Sequence, residues 1–327
     1  MKILRKTLVS VLFFMCICIG TSAEAKGKPT SGKDDNGIQW TYDKTAKTLT
    51  FSGNKRMAED ASIDGHSSGV EWDCWSEEAE HIVLEEGILG IGASVFSGFG
   101  NVQTVQIPES VTRIDYAAFQ YCHSIKNITL PSKLKKIGMC AFDNCRALEE
   151  IVIPESVASI RQGAFYKCEN LKSIKVPDSV RKIGSIAFAE CKRLESVALP
   201  KGLEKISTSL FRGCVNLREI KIPSSVTRIG TAAFEETGIE EIVIPARVTT
   251  FYKESRKSYK ALYPLFKNCK NLRKITIKSR KIKSVFAYAF SYVTKKTTIR
   301  VPKSKLKTYK KMFRKAGVSK KVKVRAI

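Results

Sequence analysis

The sequence predicts an α/β repeat protein, a solenoid in which one short parallel β-strand recurs in each 23-residue turn. Three observations predict it. Prolines fall at Pro108, Pro131, Pro154, Pro177, Pro200 and Pro223, each 23 residues after the last, and Pro245 follows after 22. Phenylalanines keep the same step independently at Phe96, Phe119, Phe142, Phe165, Phe188, Phe211 and Phe234, and the register returns at Phe266. Cysteines hold a third slot, three residues after the phenylalanine, at Cys122, Cys145, Cys168, Cys191, Cys214 and Cys269. Markers that stay in phase over this distance mean that like units stack.

The elements follow in chain order. Residues 1–25 read as a secretory signal peptide: Lys2, Arg5 and Lys6 precede an apolar run that ends in Ala23-Glu24-Ala25, an A-x-A cleavage site. Neither Cys16 nor Cys18 follows the small residues a lipidated cysteine requires, and no LPxTG-like sorting signal occurs. No second apolar run reaches the ~20 residues of a transmembrane helix. The expectation is a secreted protein, or one held on the cell surface without covalent attachment. Residues 26–36 are short and polar, and are expected to be a disordered linker. Residues 37–80 are expected to form an N-terminal β cap, with alternating strands at 38–42 and 47–52, a loop led by Gly53, and the aromatic pair Trp72 and Trp75. Its task is to cover the first turn, whose strand is placed at Ile82-Val83-Leu84, because an open solenoid end exposes apolar surface and unpaired backbone.

Residues 81–290 are the predicted solenoid. In one unit the apolar positions are Leu148, Ile151, Ile153, Val157, Ile160, Phe165 and Cys168, with Pro154 closing the strand. Ile151-Val152-Ile153 alternates, is β-branched, and stops at a proline that cannot donate to a ladder. The later spacing, three residues and then five, suits irregular or short helical backbone. A lone unit buries too little to fold, whereas stacked strands pair at about 4.8 Å and each large apolar side chain gains ~1.5–3 kcal/mol. Residues 291–327 read as strand, helix and strand: Ile299 and Val301 before Pro302, then Leu306, Tyr309 and Phe313 at helical spacing, Gly317 as a stop, and Val322-Lys323-Val324.

The units SVTRIDYAAFQYCHSIKNITLP (110–131), SVASIRQGAFYKCENLKSIKVP (156–177), SVRKIGSIAFAECKRLESVALP (179–200) and SVTRIGTAAFEETGIEEIVIP (225–245) resemble the leucine-rich repeats of the BspA-like, or treponemal, type. The resemblance covers about 82 to 290. It implies a right-handed, curved leucine-rich repeat solenoid with a parallel sheet along one face, and an adhesive role at a bacterial surface. The hairpin at the start and the strand-helix-strand module at the end also resemble terminal modules of such surface proteins.

Ten cysteines in an exported chain would ordinarily suggest disulfides. The slot instead reads as a small buried hydrophobe, because other turns place Phe99, Thr237 or Val293 there. Cys74 and Cys140 stand outside the ladder. No metal site is expected, since there is no C-x-x-C pair and the three histidines, His66, His81 and His123, are not in ligand spacing. No cofactor motif or nucleophile elbow occurs, and Glu149-Glu150 and Glu240-Glu241 recur as solvated turn residues, so no catalysis is expected.

The net charge of +26 is concentrated at one end. Residues 250–327 hold 26 Lys and Arg against the single acid Glu254, a balance of +25, which leaves +1 for residues 1–249. Such a concentration draws acidic polymers, with anionic wall polymers, anionic lipids or glycosaminoglycans as the class; nucleic acid does not fit an exported chain. Two candidate contact regions follow. Ten residues are inserted after Phe251, and the stretch 252–264 that holds them mixes Tyr252, Tyr259 and Tyr263 with Lys253, Arg256, Lys257 and Lys260. The C-terminal helix offers Lys307, Lys310, Lys311, Arg314 and Lys315. The outward row of the strands, Gln106, Thr129, Val152, Lys175, Ala198, Lys221 and Val243, is mixed and suits protein contact. The expected molecule is a monomeric, non-catalytic surface protein that binds a protein or extracellular-matrix ligand; a structural envelope protein retained by its basic end is the alternative, and a carrier module for an enzyme is disfavoured.

Overall fold

The structure is a computed structural model that describes residues 27–58, 70–252 and 264–327. The expected leader and most of the inserted loop lie outside the described residues. The chain forms a parallel β-solenoid of about ten turns. On the first side of the solenoid short strands stop within two residues of the repeat proline, as at Thr104–Gln106, Ser173–Lys175, Ser196–Ala198 and Glu241–Ile244, and fall into several short sheets that together make the first sheet face. They pair in register with the next turn, Ile174 opposite Val197 and Ile242 opposite Ile275.

Each turn also contributes a second short strand where irregular backbone was expected. Arg113–Ile114, Lys136–Ile137, Ser159–Ile160 and Lys182–Ile183 form one four-stranded parallel sheet, and Lys205–Ile206, Arg228–Gly230, Thr250–Tyr252 and Ser284–Val285 form another. Two residues make too short a run for alternation to show in sequence; the strand exists because its neighbours 23 residues away supply the ladder partners.

The third side is laddered as well. Phe119 N–H donates to the Ala141 carbonyl at 2.9 Å, Phe142 to Ala164 at 2.9 Å and Phe165 to Ala187 at 2.9 Å. Two residues per turn hold this side in the left-handed region, two before and two after the phenylalanine: Cys140 at φ 55 and Asn144 at φ 60, Ile186 at φ 54 and Glu190 at φ 60. Turns therefore contact their neighbours by backbone hydrogen bonds on all three sides.

The phenylalanines form one buried column. From Phe96 to Phe266 successive rings stack with centroids 5.5–6.3 Å apart and interplanar angles of 5–18°. The column runs into both ends. Phe51 lies 5.3 Å from Phe96 and 5.0 Å from Trp72, while Phe290 lies 5.0 Å from Phe313.

The cysteine slot is buried and none of the described cysteines is disulfide-bonded. Its thiol also has a partner. Cys122 Sγ donates to the carbonyl of Phe96 at 3.1 Å, Cys145 to Phe119, Cys168 to Phe142 and Cys191 to Phe165 at 3.2 Å each, and Cys214 to Phe188 at 3.1 Å. A small hydrophobe with a weak S–H donor fits both requirements of the site. Phe99, in the same slot one turn earlier, is buried edge-to-face against Phe96 at 5.8 Å.

At the start, strands Gln39–Asp43 and Thr48–Ser52 form the hairpin and His81–Leu84 pairs with it in parallel. The stretch expected to be a disordered linker is ordered from its middle on: Ser31–Lys33 adds an antiparallel strand to Gln39–Asp43. Gly32 allows it, because a Cβ there would lie 2.6 Å from the Trp40 indole nitrogen, and Trp75 Nε1 holds the Pro29 carbonyl at 2.7 Å. At the other end Thr298–Val301, the helix Leu306–Lys315 and Lys323–Ala326 follow in the expected order. Tyr309 and Phe313 bury the helix, and Gly317 ends it at φ +92. The last strand carries Lys323 and Arg325, charges that discourage pairing at a sheet edge.

Candidate functional site

The outward row of the first sheet is exposed at every expected position, from Gln106 through Thr129, Val152, Lys175, Ala198 and Lys221 to Val243. Val152 is 81% exposed, an apolar side chain left in water at the centre of the face. Ion pairs flank the row between adjacent turns, with Lys172 Nζ 2.6 Å from Glu149 and Lys274 Nζ 2.6 Å from Glu241. The glutamates that recur in these turns are therefore partners for lysines one turn on. Lys172 donates to Glu149 and so holds its carboxyl below the usual range.

Of the insertion, Tyr252 is described; Lys253, Arg256, Lys257, Tyr259, Lys260 and Tyr263 lie outside the described residues. Tyr252 closes the strand Thr250–Tyr252 and is half-buried. Its hydroxyl reaches back across the second sheet to the Ile206 carbonyl at 3.4 Å, over Gly230, where a Cβ would stand 2.8 Å from that oxygen. Lys205 Nζ lies 4.6 Å from the centre of its ring. The tyrosine is thus part of the sheet surface.

On the C-terminal helix Lys307, Lys310, Lys311 and Lys315 are exposed, opposite the buried Tyr309 and Phe313. Arg314 behaves differently. Its guanidinium donates to the carbonyls of Val318 at 3.2 Å and Val322 at 3.0 Å, and also to Ser319, binding the loop after the helix. Four of the five helix cations therefore face solvent and the fifth is engaged with backbone. Residues 264–327 contain 22 Lys and Arg and no acid. Among the described residues, two of these form ion pairs, Lys267 with Glu235 at 2.7 Å and Lys274 with Glu241. The Glu235 carboxylate, hydrogen-bonded to Lys267, raises that ammonium above its ordinary value.

Sequence reading passes over the outer face of the second sheet, since it foresees no second strand. A buried carboxylate, Asp115, gathers Arg56 at 2.7 Å, Arg113 at 2.7 Å and Lys136 at 3.3 Å, tying the cap to two successive turns. Beyond it the face opens into a groove of about 980 Å³. No cluster of three or more His, Cys, Asp or Glu that could hold a metal ion occurs among the described residues. No helix among them is long and apolar enough to cross a membrane.

Stacked near-copies of one turn, a filled core and open sheet faces define the class: a leucine-rich repeat solenoid that offers surfaces. The pattern of the BspA type leucine-rich repeat region matches in six copies, over residues 74–162, 135–262 and 260–325. The chain belongs to that family. Among solved structures it is similar to a leucine-rich repeat protein from Bacteroides ovatus ATCC 8483, at 20% identity over 89% of this chain and 98% of that one, with a TM-score of 0.48. It is also similar to a leucine-rich cell surface protein from Faecalibacterium prausnitzii A2-165, at 21% identity over 80% and 100%, TM-score 0.44. A leucine-rich repeat protein of T. pallidum shares 24% identity over 61% and 86%, TM-score 0.35. No curated protein matches the chain.

Proposed function

We propose that this protein is an exported, non-catalytic binding protein of the bacterial surface, which presents the outward face of its first sheet to a protein or extracellular-matrix partner. The observation that carries the reading is the exposed row from Gln106 to Val243, mixed in character and centred on Val152. A rigid face with isolated apolar side chains in a polar surround is suited to macromolecular contact. Membership in a family of repeat surface proteins supports the same reading, as does the leader at residues 1–25. Pull-down with the mature chain against extracellular-matrix proteins tests it, with V152E/K175E/K221E as the comparison. Capture of a partner that the triple variant loses supports the proposal; equal capture by both chains removes the face from it.

A second role accompanies this one. The acid-free basic end, residues 264–327, favours retention on anionic envelope polymers by salt-sensitive attraction. K307Q/K310Q/K311Q/K315Q tests it better than deletion, since removing residues 291–327 would strip Phe313 from Phe290 and open the core. Cells expressing the quadruple variant should shed the protein at lower salt than wild type. Identical salt profiles would contradict retention by charge.

A further inference from the structure

The two outward rows of the second sheet, read together, carry one cation per turn over six consecutive turns. The first row runs Arg113, Lys136, Ser159, Lys182, Lys205 and Arg228; the second, two residues on, runs Asp115, Gly138, Arg161, Gly184, Ser207 and Gly230. Residues i and i+2 of a strand share a face, so Arg161 fills the place that Ser159 leaves. Asp115 pairs with the first two cations, and with Arg56 of the cap. Arg161, Lys182 and Arg228 are exposed and make no ion pair among the described residues, and all three line the 980 Å³ groove. Arg181 joins them, its guanidinium reaching Gly202, where a Cβ would fall 1.8 Å from Nη1. Glu204 is the one acid among the described lining residues.

From this ladder we infer that the groove is a binding site for a linear acidic polysaccharide, a chain of hydroxylated units bearing sulfate or carboxylate groups and lying along the solenoid axis. This surface is distinct from the first-sheet face offered above for protein contact. Turns repeat at about 4.8 Å, so cations arrive at intervals matched to single units of such a chain. Between them Ser159 and Gln162 are available for hydroxyls, beside apolar lining from Met139, Ala158 and Leu203. Other linear anions fit less well. An acidic amphipathic helix needs apolar anchors, and the exposed large apolar side chain in the lining is Met139. An extended acidic peptide sets same-side carboxylates about 6.8 Å apart and adds to sheet edges rather than faces. Single-stranded nucleic acid needs aromatic platforms along its track, and none of the described residues lining the groove is aromatic.

The test is fluorescence anisotropy with labelled heparin octasaccharide on the mature chain at about 150 mM salt. R161Q/K182Q/R228Q is expected to bind about tenfold more weakly, ~1.4 kcal/mol or under ~0.5 kcal/mol per exposed cation. The charge-matched variant K126Q/R193Q/R218Q should lose no more than about twofold. All six positions are exposed, so both variants should fold, which circular dichroism checks. Because the basic C-terminal end also attracts polyanions, phenylglyoxal modification read by mass spectrometry locates the contact: the octasaccharide should slow modification of Arg161, Arg181 and Arg228 severalfold. The inference is overturned if these arginines are unprotected, if both variants weaken equally, or if poly-L-glutamate binds as tightly as the octasaccharide. Failure here leaves the first-sheet reading standing, since that pull-down uses another face.

Discussion

Raising the pH should unfold this protein unusually steeply, and the cysteine ladder is the reason. Burial pushes the thiols of Cys122, Cys145, Cys168, Cys191, Cys214 and Cys269 up from their ordinary range. In the unfolded chain each thiol loses its proton near about pH 8.5. A group whose pKa is raised by folding contributes stability that is fully present below its unfolded value and is lost as pH rises above it. Each retained proton costs about 1.4 kcal/mol of stability per pH unit, so the five fully buried thiols from Cys122 to Cys214 together cost about 7 kcal/mol per unit above pH ~9.5. Against a typical stability of ~5–15 kcal/mol, unfolding is expected between about pH 10 and 11. Lysine deprotonation relieves repulsion in this basic chain and works the other way, so the comparison must be internal. Guanidinium unfolding of wild type and Cys168→Ala, under reductant, at pH values from 7 to 10.5 supplies it. The variant should be less stable at pH 7 by ~1–2 kcal/mol, from lost burial, a small cavity and a lost weak hydrogen bond, and the gap should shrink by about 1.4 kcal/mol per unit above pH 9.5. Parallel pH dependences for the two chains would refute the argument.

Phe165→Ala should cost ~3–5 kcal/mol, because it removes a fully buried ring stacked on Phe142 at 5.5 Å and on Phe188 at 5.7 Å. Turns interact mainly with neighbours, so the break should separate the two halves: tryptophan fluorescence, which reports Trp40, Trp72 and Trp75 at the start of the chain, should depart from far-ultraviolet circular dichroism during denaturation. Asp115→Ala should cost ~1–3 kcal/mol by leaving Arg56, Arg113 and Lys136 without their shared carboxylate, the partial exposure of those cations keeping the loss below that of a fully buried pair; thermal denaturation measures it. Lys167→Gly should stabilise by ~0.5–1 kcal/mol, since Lys167 sits at φ 57, whereas Gly213→Ala in the equivalent slot, at φ +76 and with a Cβ 2.6 Å from Glu190, should destabilise by more than ~1 kcal/mol. Equal and small shifts in both would contradict the strain.

The period, the core slots and both terminal modules were legible because each depends on a side chain that must be apolar, or on a proline that must end a strand. Ile151, Val157, Ile160, Phe165 and Cys168 announce themselves wherever the turn repeats, and Leu306, Tyr309 and Phe313 mark a helix by local spacing alone. Concentration of charge after residue 250 could be counted directly. Ordering of Ser31–Lys33 could not, because it rests on an indole packed over Gly32.

The stacking of turns and the identity of the side chains between them therefore follow from the residue pattern, since burial selects residue type at every repeat. Tertiary structure alone decided the rest, wherever a group's partner lies a full turn away. It paired two-residue strands with copies 23 residues distant, set each ladder thiol on the carbonyl of a phenylalanine 26 or more residues earlier, and turned Arg314 onto the carbonyls beyond its helix. It also aligned Arg161 on one face with Lys136 and Lys182 although it occupies a different slot of the repeat, because the pleat of a strand sends residues two apart to the same side.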